Sequence, residues 1–152
     1  MKIKNKVFAE GFFEALKELA NKDLPGDLSW DLSMMIFDIE KQFKIYTDLS
    51  QKYAKPYIDK KNELIEKLGK KNEKTGNKEI SGDDMKAINA FNSDKDLLKT
   101  IETYEKQMKE LNSKEVDYKF SKLIVKKADL KDIKIKSASL FLLKDILDMR
   151  DK

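Results

Sequence analysis

LSWDLSMMIFDIEKQFKIYTDLSQKYAKPYIDKKNELIEKL, residues 28–68, is the stretch whose reading decides the fold. Leu28, Leu32, Met35, Ile39, Phe43, Tyr46, Ser50 and Tyr53 step by 4, 3, 4, 4, 3, 4 and 3. That spacing is close to a heptad seam and predicts a long helix with one apolar stripe. Pro56 lacks the amide proton of the helical ladder, so a kink or division is expected there. Tyr57, Ile58, Leu64, Ile65 and Leu68 resume the pattern, and Gly69 ends it. An unbroken helix over these residues would be about 60 Å long. That exceeds a globular core, so part of it should project or pack on a partner helix.

The flanking segments supply that partner. Leu97, Ile101, Tyr104, Met108 and Leu111 step by 4, 3, 4 and 3. They predict a second helix whose stripe faces residues 32–53 in an antiparallel hairpin. Between the two lies GKKNEKTGNKEISGDD, residues 69–84, with three glycines and Ile80 as its only large apolar residue. It reads as a mobile basic loop at the hairpin tip, with a small hairpin centred on Thr75-Gly76-Asn77 as an option. Met85–Phe91 suits a short helix, and Ser93 is a candidate N-cap for the next.

Toward the amino terminus, residues 1–4 suit a very short strand. Phe8, Phe12, Ala15, Leu16 and Leu19 predict an amphipathic helix over 6–21, with Asn5 as its cap. Gly11 weakens that helix by roughly 1 kcal/mol relative to alanine. Leu24-Pro25-Gly26-Asp27 is a turn. Toward the carboxyl terminus, Val116, Tyr118 and Phe120 alternate with charged residues, as do Leu123 and Val125. Both read as strands, with a third over Ile133-Lys134-Ile135. Ser137 is then placed to cap a final, mostly buried helix over residues 138–149. The expected fold is a mostly helical α+β single domain over residues 1–152: a first helix, a long helical hairpin, a small C-terminal sheet and a last helix.

Composition excludes several chemistries. Of 152 residues none is histidine or cysteine. The usual general base, the thiol nucleophile, most zinc sites and disulfides are thereby removed. Arg150 is the only arginine, which counts against a dedicated reader of phosphate or guanine. No phosphate-binding glycine loop, dinucleotide fingerprint or serine-hydrolase elbow occurs. Asp117-Tyr118-Lys119 is a sparse version of the acid-x-Lys element of metal-dependent nucleases, which would also need a second strand acid, and a solvated strand face is the expected reading. Asp83-Asp84 and Asp94-Lys95-Asp96 fall where helix N-termini are expected and favour the helix dipole. The chain is therefore expected to be no enzyme, and to carry no cofactor and no metal site.

Charge is unevenly placed. The formal net charge is +4, and residues 52–79 account for it with nine lysines against five acids. Residues 27–51 are acidic, with five carboxylates against Lys41 and Lys44. The basic tip is the candidate partner-binding site: Lys60, Lys61, Lys67, Lys70, Lys71 and Lys74, with Tyr57 beside them. A protein partner with an acidic surface is favoured. Nucleic acid is the weaker alternative, because Tyr57 is the only aromatic near enough to stack on a base. Neither a signal peptide nor an apolar run of membrane-spanning length is apparent. A cytoplasmic protein without a membrane partner is expected, with homo-oligomerisation left open.

The arrangement as a whole carries a resemblance. The opening Met-Lys-Ile-Lys-Asn, the segment Lys22-Asp23-Leu24-Pro25, then Glu40-Lys41-Gln42-Phe43-Lys44-Ile45-Tyr46 and Lys52-Tyr53-Ala54-Lys55 resemble small uncharacterised proteins of phages and prophages of AT-rich bacteria. The resemblance covers most of the chain and is weakest over residues 69–92. It implies an accessory protein that works by protein–protein binding in the host cytoplasm. The leading expectation is inhibition of a host factor such as a defence nuclease, in the manner of an anti-CRISPR protein. The alternatives are a virion assembly or chaperone component and a small nucleic-acid-binding regulator.

Overall fold

In a computed structural model, residues 1–131 and 133–151 are described. The protein is mostly helical with small sheets, an α+β fold built around a long helix. Two compact units form, one from Met1–Thr47 with Leu111–Lys152 and the other from Asp48–Glu110. The long helix α3, Gly26–Leu68, contributes its first part to one unit and its remainder to the other.

In the first unit, β1 (Lys2–Lys4) is followed by α1 (Lys6–Ala9) and α2 (Phe12–Ala20). The single helix expected over 6–21 is thus broken in two. Gly11 takes φ +90°, a left-handed conformation that ends α1 and turns the chain into α2. Asn5 does not cap α1 through its side chain. It is buried instead, donating from Nδ2 to the Leu111 carbonyl at 3.2 Å and accepting from Gln42 Nε2 at 3.2 Å.

The core of this unit comes from the expected stripes. Phe12, Leu16 and Leu19 of α2 and Leu32 and Ile39 of α3 are all at most 1 % exposed. Phe43 is the aromatic hinge of the packing: it stacks on Phe13 with centroids 4.4 Å apart and meets Phe8 edge-on at 5.7 Å. Burying one such side chain contributes about 1.5–3 kcal/mol. This cluster gains further from its offset and edge-to-face geometry.

The C-terminal region departs from its pattern. β4 is Glu115–Asp117 and pairs antiparallel with β1, Ile3 opposite Val116. Tyr118 and Phe120 lie beyond it, stacked at 5.0 Å. β5 (Leu123–Lys126) forms where expected, with Leu123 and Val125 inward, and leads into a 3₁₀ turn at Lys127–Leu130. Ile133-Lys134-Ile135 is not a strand. The strand that pairs with β5, in parallel, is β6, Leu147–Arg150, which helical periodicity had assigned to the last helix. That helix, α6, does form but is confined to Ser137–Leu142, with Lys136 rather than Ser137 at its N-cap position. Leu143 and Ile146 are fully buried while Phe141 is 65 % exposed. Leu140–Leu143 and Ile146-Leu147 are short continuous apolar runs, so periodicity alone could not tell helix from strand.

In the second unit, α3 continues undivided through Pro56. Pro56 is exposed, so the Lys52 carbonyl that loses its amide partner can turn to water. Gly69 ends the helix and leads into a hairpin of β2 (Lys70–Lys71) and β3 (Lys78–Glu79). α4 (Met85–Asn92) and α5 (Lys95–Ser113) follow. Asp94, not Ser93, caps α5, its carboxylate accepting from the Leu97 amide at 2.8 Å. Ser93 closes α4 instead, its hydroxyl donating to the Asn89 carbonyl at 2.7 Å.

α5 runs antiparallel to the later part of α3. Tyr57 stacks on Tyr104 at 6.1 Å, and Lys60 lies in the field of Asp94 and Asp96. The matched spacing thus identified a true helix pair but set its register too early. In the second unit the part of α3 that meets α5 is Tyr57 and Lys60, while in the first unit Tyr46 packs on Phe8 and donates its hydroxyl to Asn112 at the end of α5, at 3.0 Å.

Candidate functional site

The basic tip is a braced structure at the end of α3. Gly69 is required there by space: a Cβ would lie 2.5 Å from the Ile65 carbonyl oxygen and 3.1 Å from the Glu79 backbone. The hairpin turn is closed by Asn72, whose side-chain oxygen accepts from the amides of Lys74 and Thr75 at 2.8 and 3.3 Å. Gly76 supplies the positive φ of +73° that the turn needs. Asn72 also donates its backbone amide to the Asn77 carbonyl at 2.8 Å. The turn predicted around Thr75-Gly76-Asn77 therefore forms.

Three lysines hold this tip together. Lys78 reaches back to the helix end, bonding the Glu66 carbonyl at 2.9 Å and the Glu66 carboxylate at 3.0 Å. A cation at a helix C-terminus satisfies orphan carbonyls and meets the negative end of the dipole. Lys70 pairs with Asp84 at 2.8 Å. Asp84 also caps α4 by accepting from the Ala87 amide at 3.1 Å. The Lys70 ammonium and then that amide hold the Asp84 carboxyl below its ordinary range, and Asp84 in turn raises Lys70. Lys60 pairs with Glu63 at 3.2 Å, which raises its pKa, with Asp94 and Asp96 adding to the effect.

The predicted site residues therefore fall into two groups. Tyr57 is half-buried in its stack on Tyr104, and Lys60 and Lys70 are engaged by carboxylates. Lys61, Lys67, Lys71 and Lys74 are exposed and make no ion pair among the described residues. Beside the hairpin lies a small hollow of about 310 Å³ lined by Ile65, Ile80, Ile88 and Phe91. The acid-x-Lys pattern sits at the end of β4, where Asp117 faces the amino-terminal ammonium at 3.4 Å.

A second feature escaped the sequence reading. In the first unit a groove of about 540 Å³ runs between the start of α3 and the segment 120–129. Leu28, Met35 and Leu123 are the buried apolar residues along it. Four carboxylates line it, Asp27, Asp31, Asp38 and Asp129, against two amines, Lys122 and Lys126. Near it lies Tyr118, whose buried hydroxyl has no hydrogen-bond partner among the described residues. Burial pushes that phenol up to about 12, with Asp38 adding to the shift.

Compared with protein-family models, with curated proteins and with solved structures, the chain matches none. No described helix is long and apolar enough to cross a membrane.

Proposed function

We propose that this chain is a non-enzymatic accessory protein of a phage or prophage that acts in the host cytoplasm by binding a protein. Its target is a host factor, such as a defence nuclease, that presents an acidic surface. One observation carries the reading. The tip spends Glu63, Glu66 and Asp84 on Lys60, Lys78 and Lys70, and leaves Lys61, Lys67, Lys71 and Lys74 unpaired on the same helix end and hairpin. A rigid scaffold carrying uncompensated like charges gains most when an opposite surface neutralises them, and it steers that encounter from a distance.

The test replaces Lys61, Lys67, Lys71 and Lys74 together with glutamate. Exposed charges contribute little to stability, so the far-UV circular dichroism and melting temperature should be unchanged. Cross-linking capture from host lysate, with wild type and variant side by side, should enrich a polypeptide that the variant loses. An identical captured set would refute the reading. Micromolar binding of an arbitrary 20-base-pair DNA at physiological salt, lost in the variant, would transfer the tip to nucleic acid.

A further inference from the structure

In the first unit α3 carries two apolar stripes on opposite sides. Leu28, Leu32, Met35, Ile39 and Tyr46 are buried. Trp30, Met34, Phe37 and Ile45, with Lys41 in the row, step by 4, 3, 4 and 4 and lie about half a turn away. Trp30 is 69 % exposed, Phe37 57 %, Met34 53 % and Ile45 51 %. Single exposed apolar side chains are ordinary, whereas a contiguous row of large ones marks a surface that something covers. Within the chain their cover is slight: the Lys41 ammonium lies 4.5 Å over the Phe37 ring.

The chemistry of the cover follows from the flank. Asp27, Asp31 and Asp38 run along one side of this row and form the helix wall of the acidic groove, which Met34 joins to the apolar ridge. None of the three makes an ion pair among the described residues. Ile124, 51 % exposed, stands on the opposite wall. An apolar ridge beside a row of unpaired carboxylates complements an amphipathic helix with one apolar face and a cationic margin. A second copy of this chain fits less well. Antiparallel self-pairing of the ridge would centre near Phe37 and set Asp38 beside the copy's own Asp38, like charge on like.

We propose that this face of α3, Trp30 to Ile45 with its acidic groove, docks a basic amphipathic helix of a partner protein. The partner's apolar side chains cover Trp30, Met34 and Phe37, and its lysines or arginines meet Asp31 and Asp38. This surface is independent of the basic tip and stands or falls without it.

Trp30 is the only tryptophan, so its emission reports on the ridge. The full chain is titrated with three fluorescein-free 18-residue peptides: leucines at helical spacing with lysines elsewhere, the same composition scrambled, and the first peptide with glutamate for lysine. The first should shift Trp30 emission to the blue, saturably, with a micromolar Kd. The scrambled and acidic peptides should bind at least tenfold more weakly. Asp31→Asn with Asp38→Asn should weaken the basic peptide about tenfold and flatten its salt dependence, and Phe37→Ser should weaken it at any salt. Both changes are at exposed positions, and unchanged circular dichroism confirms the fold. No blue shift with the basic peptide, or equal binding of the scrambled or acidic one, overturns the proposal. Trp30 emission already blue-shifted and concentration-dependent without peptide, with a dimer in sedimentation, overturns it in favour of a second copy.

Discussion

Asn5 is the buried polar junction of the first unit, and its replacement offers a graded test of the packing. The residue is 1 % exposed. Its amide group donates to the Leu111 carbonyl in the last turn of α5 and accepts from Gln42 of α3, each at 3.2 Å. Asn5→Ala removes both bonds and leaves a small void. Among the described residues the Leu111 carbonyl then keeps a long bond from the Lys114 amide at 3.3 Å. Gln42 is half-buried and can turn partly to water. One partner stranded in the interior costs about 1–3 kcal/mol, and the void adds to that. The expected loss is about 2–4 kcal/mol by urea denaturation, or roughly 6–12 °C in melting temperature. Asn5→Asp separates hydrogen bonding from volume, because it is isosteric. Ionised, it sets a buried carboxylate against the Leu111 carbonyl; protonated, it can donate to it. Its folded pKa must therefore lie above the unfolded value of about 3.9. Its proton-bound form then stabilises the fold below pH 4, and that contribution is lost as pH rises through the folded pKa. The stability gap to wild type should widen from pH 4 to pH 7. A loss under 0.5 kcal/mol for Asn5→Ala, or a pH-independent gap for Asn5→Asp, would refute the reasoning.

Further expectations follow from the same contacts. Gly69→Ala, with its Cβ 2.5 Å from a carbonyl oxygen, should destabilise by about 1–3 kcal/mol, whereas Gly82→Ala, with nothing within 4 Å, should be neutral or slightly stabilising; equal effects on thermal melting would remove the steric argument. Pro56→Ala restores one helical hydrogen bond, from the amide at position 56 to the Lys52 carbonyl, and should stabilise α3 by roughly 1–3 kcal/mol, read as a protected amide at position 56 and slower exchange in the adjoining turns. Tyr57→Ala and Tyr104→Ala should show a coupling of about 0.5–1.5 kcal/mol in a double-mutant cycle, and additivity would deny their stack. Glu18 is held below its ordinary pKa chiefly by the Ser139 hydroxyl, helped by Lys136. Its lowered folded pKa gives stability that is present above the unfolded value of 4.5 and lost as pH falls through the folded one. Glu18→Gln should flatten the acid limb of the stability curve, and an unchanged limb would show the contact to be idle.

Much of the fold is legible because helical burial repeats. The seam read at Leu28, Leu32, Met35, Ile39 and Tyr46 is the buried face of α3. The basic tip was legible too, since charge density needs no three-dimensional information. What failed were the places where one local signal competed with another. Asn5 offered a cap, but burial gave it a better use between α3 and α5. Ser93 and Asp94 were both capping residues, and only the ladder geometry selects between them. Leu140–Leu143 and Ile146-Leu147 satisfy helix and strand patterns alike, and pairing with β5 decides for β6. The hairpin register slipped because a repeat near seven residues matches itself again one or two turns along. Spacing fixes which face of a helix is used, and only aromatic contacts such as Tyr57 on Tyr104 fix where.

The acidic groove and the outer ridge of α3 were hidden for a related reason. Trp30, Met34, Phe37 and Ile45 are as visible in the sequence as the inner seam, with nearly the same spacing. A helix with apolar residues on both sides reads as buried all round, and the residues between them then look like ordinary polar fillers. Once α1 and α2 are known to pack on α3, through Phe8 and Phe13 on Phe43, the outer side becomes a surface with a cost. Four large apolar side chains stay in water along a single face, and three carboxylates beside them make no ion pair among the described residues. Stability alone would favour replacing both. Their joint presence on one helix is better explained by an occupant that is apolar and cationic together than by either half of the pattern taken separately. For that reason the peptide test varies periodicity and charge independently, and the proposal requires both to matter.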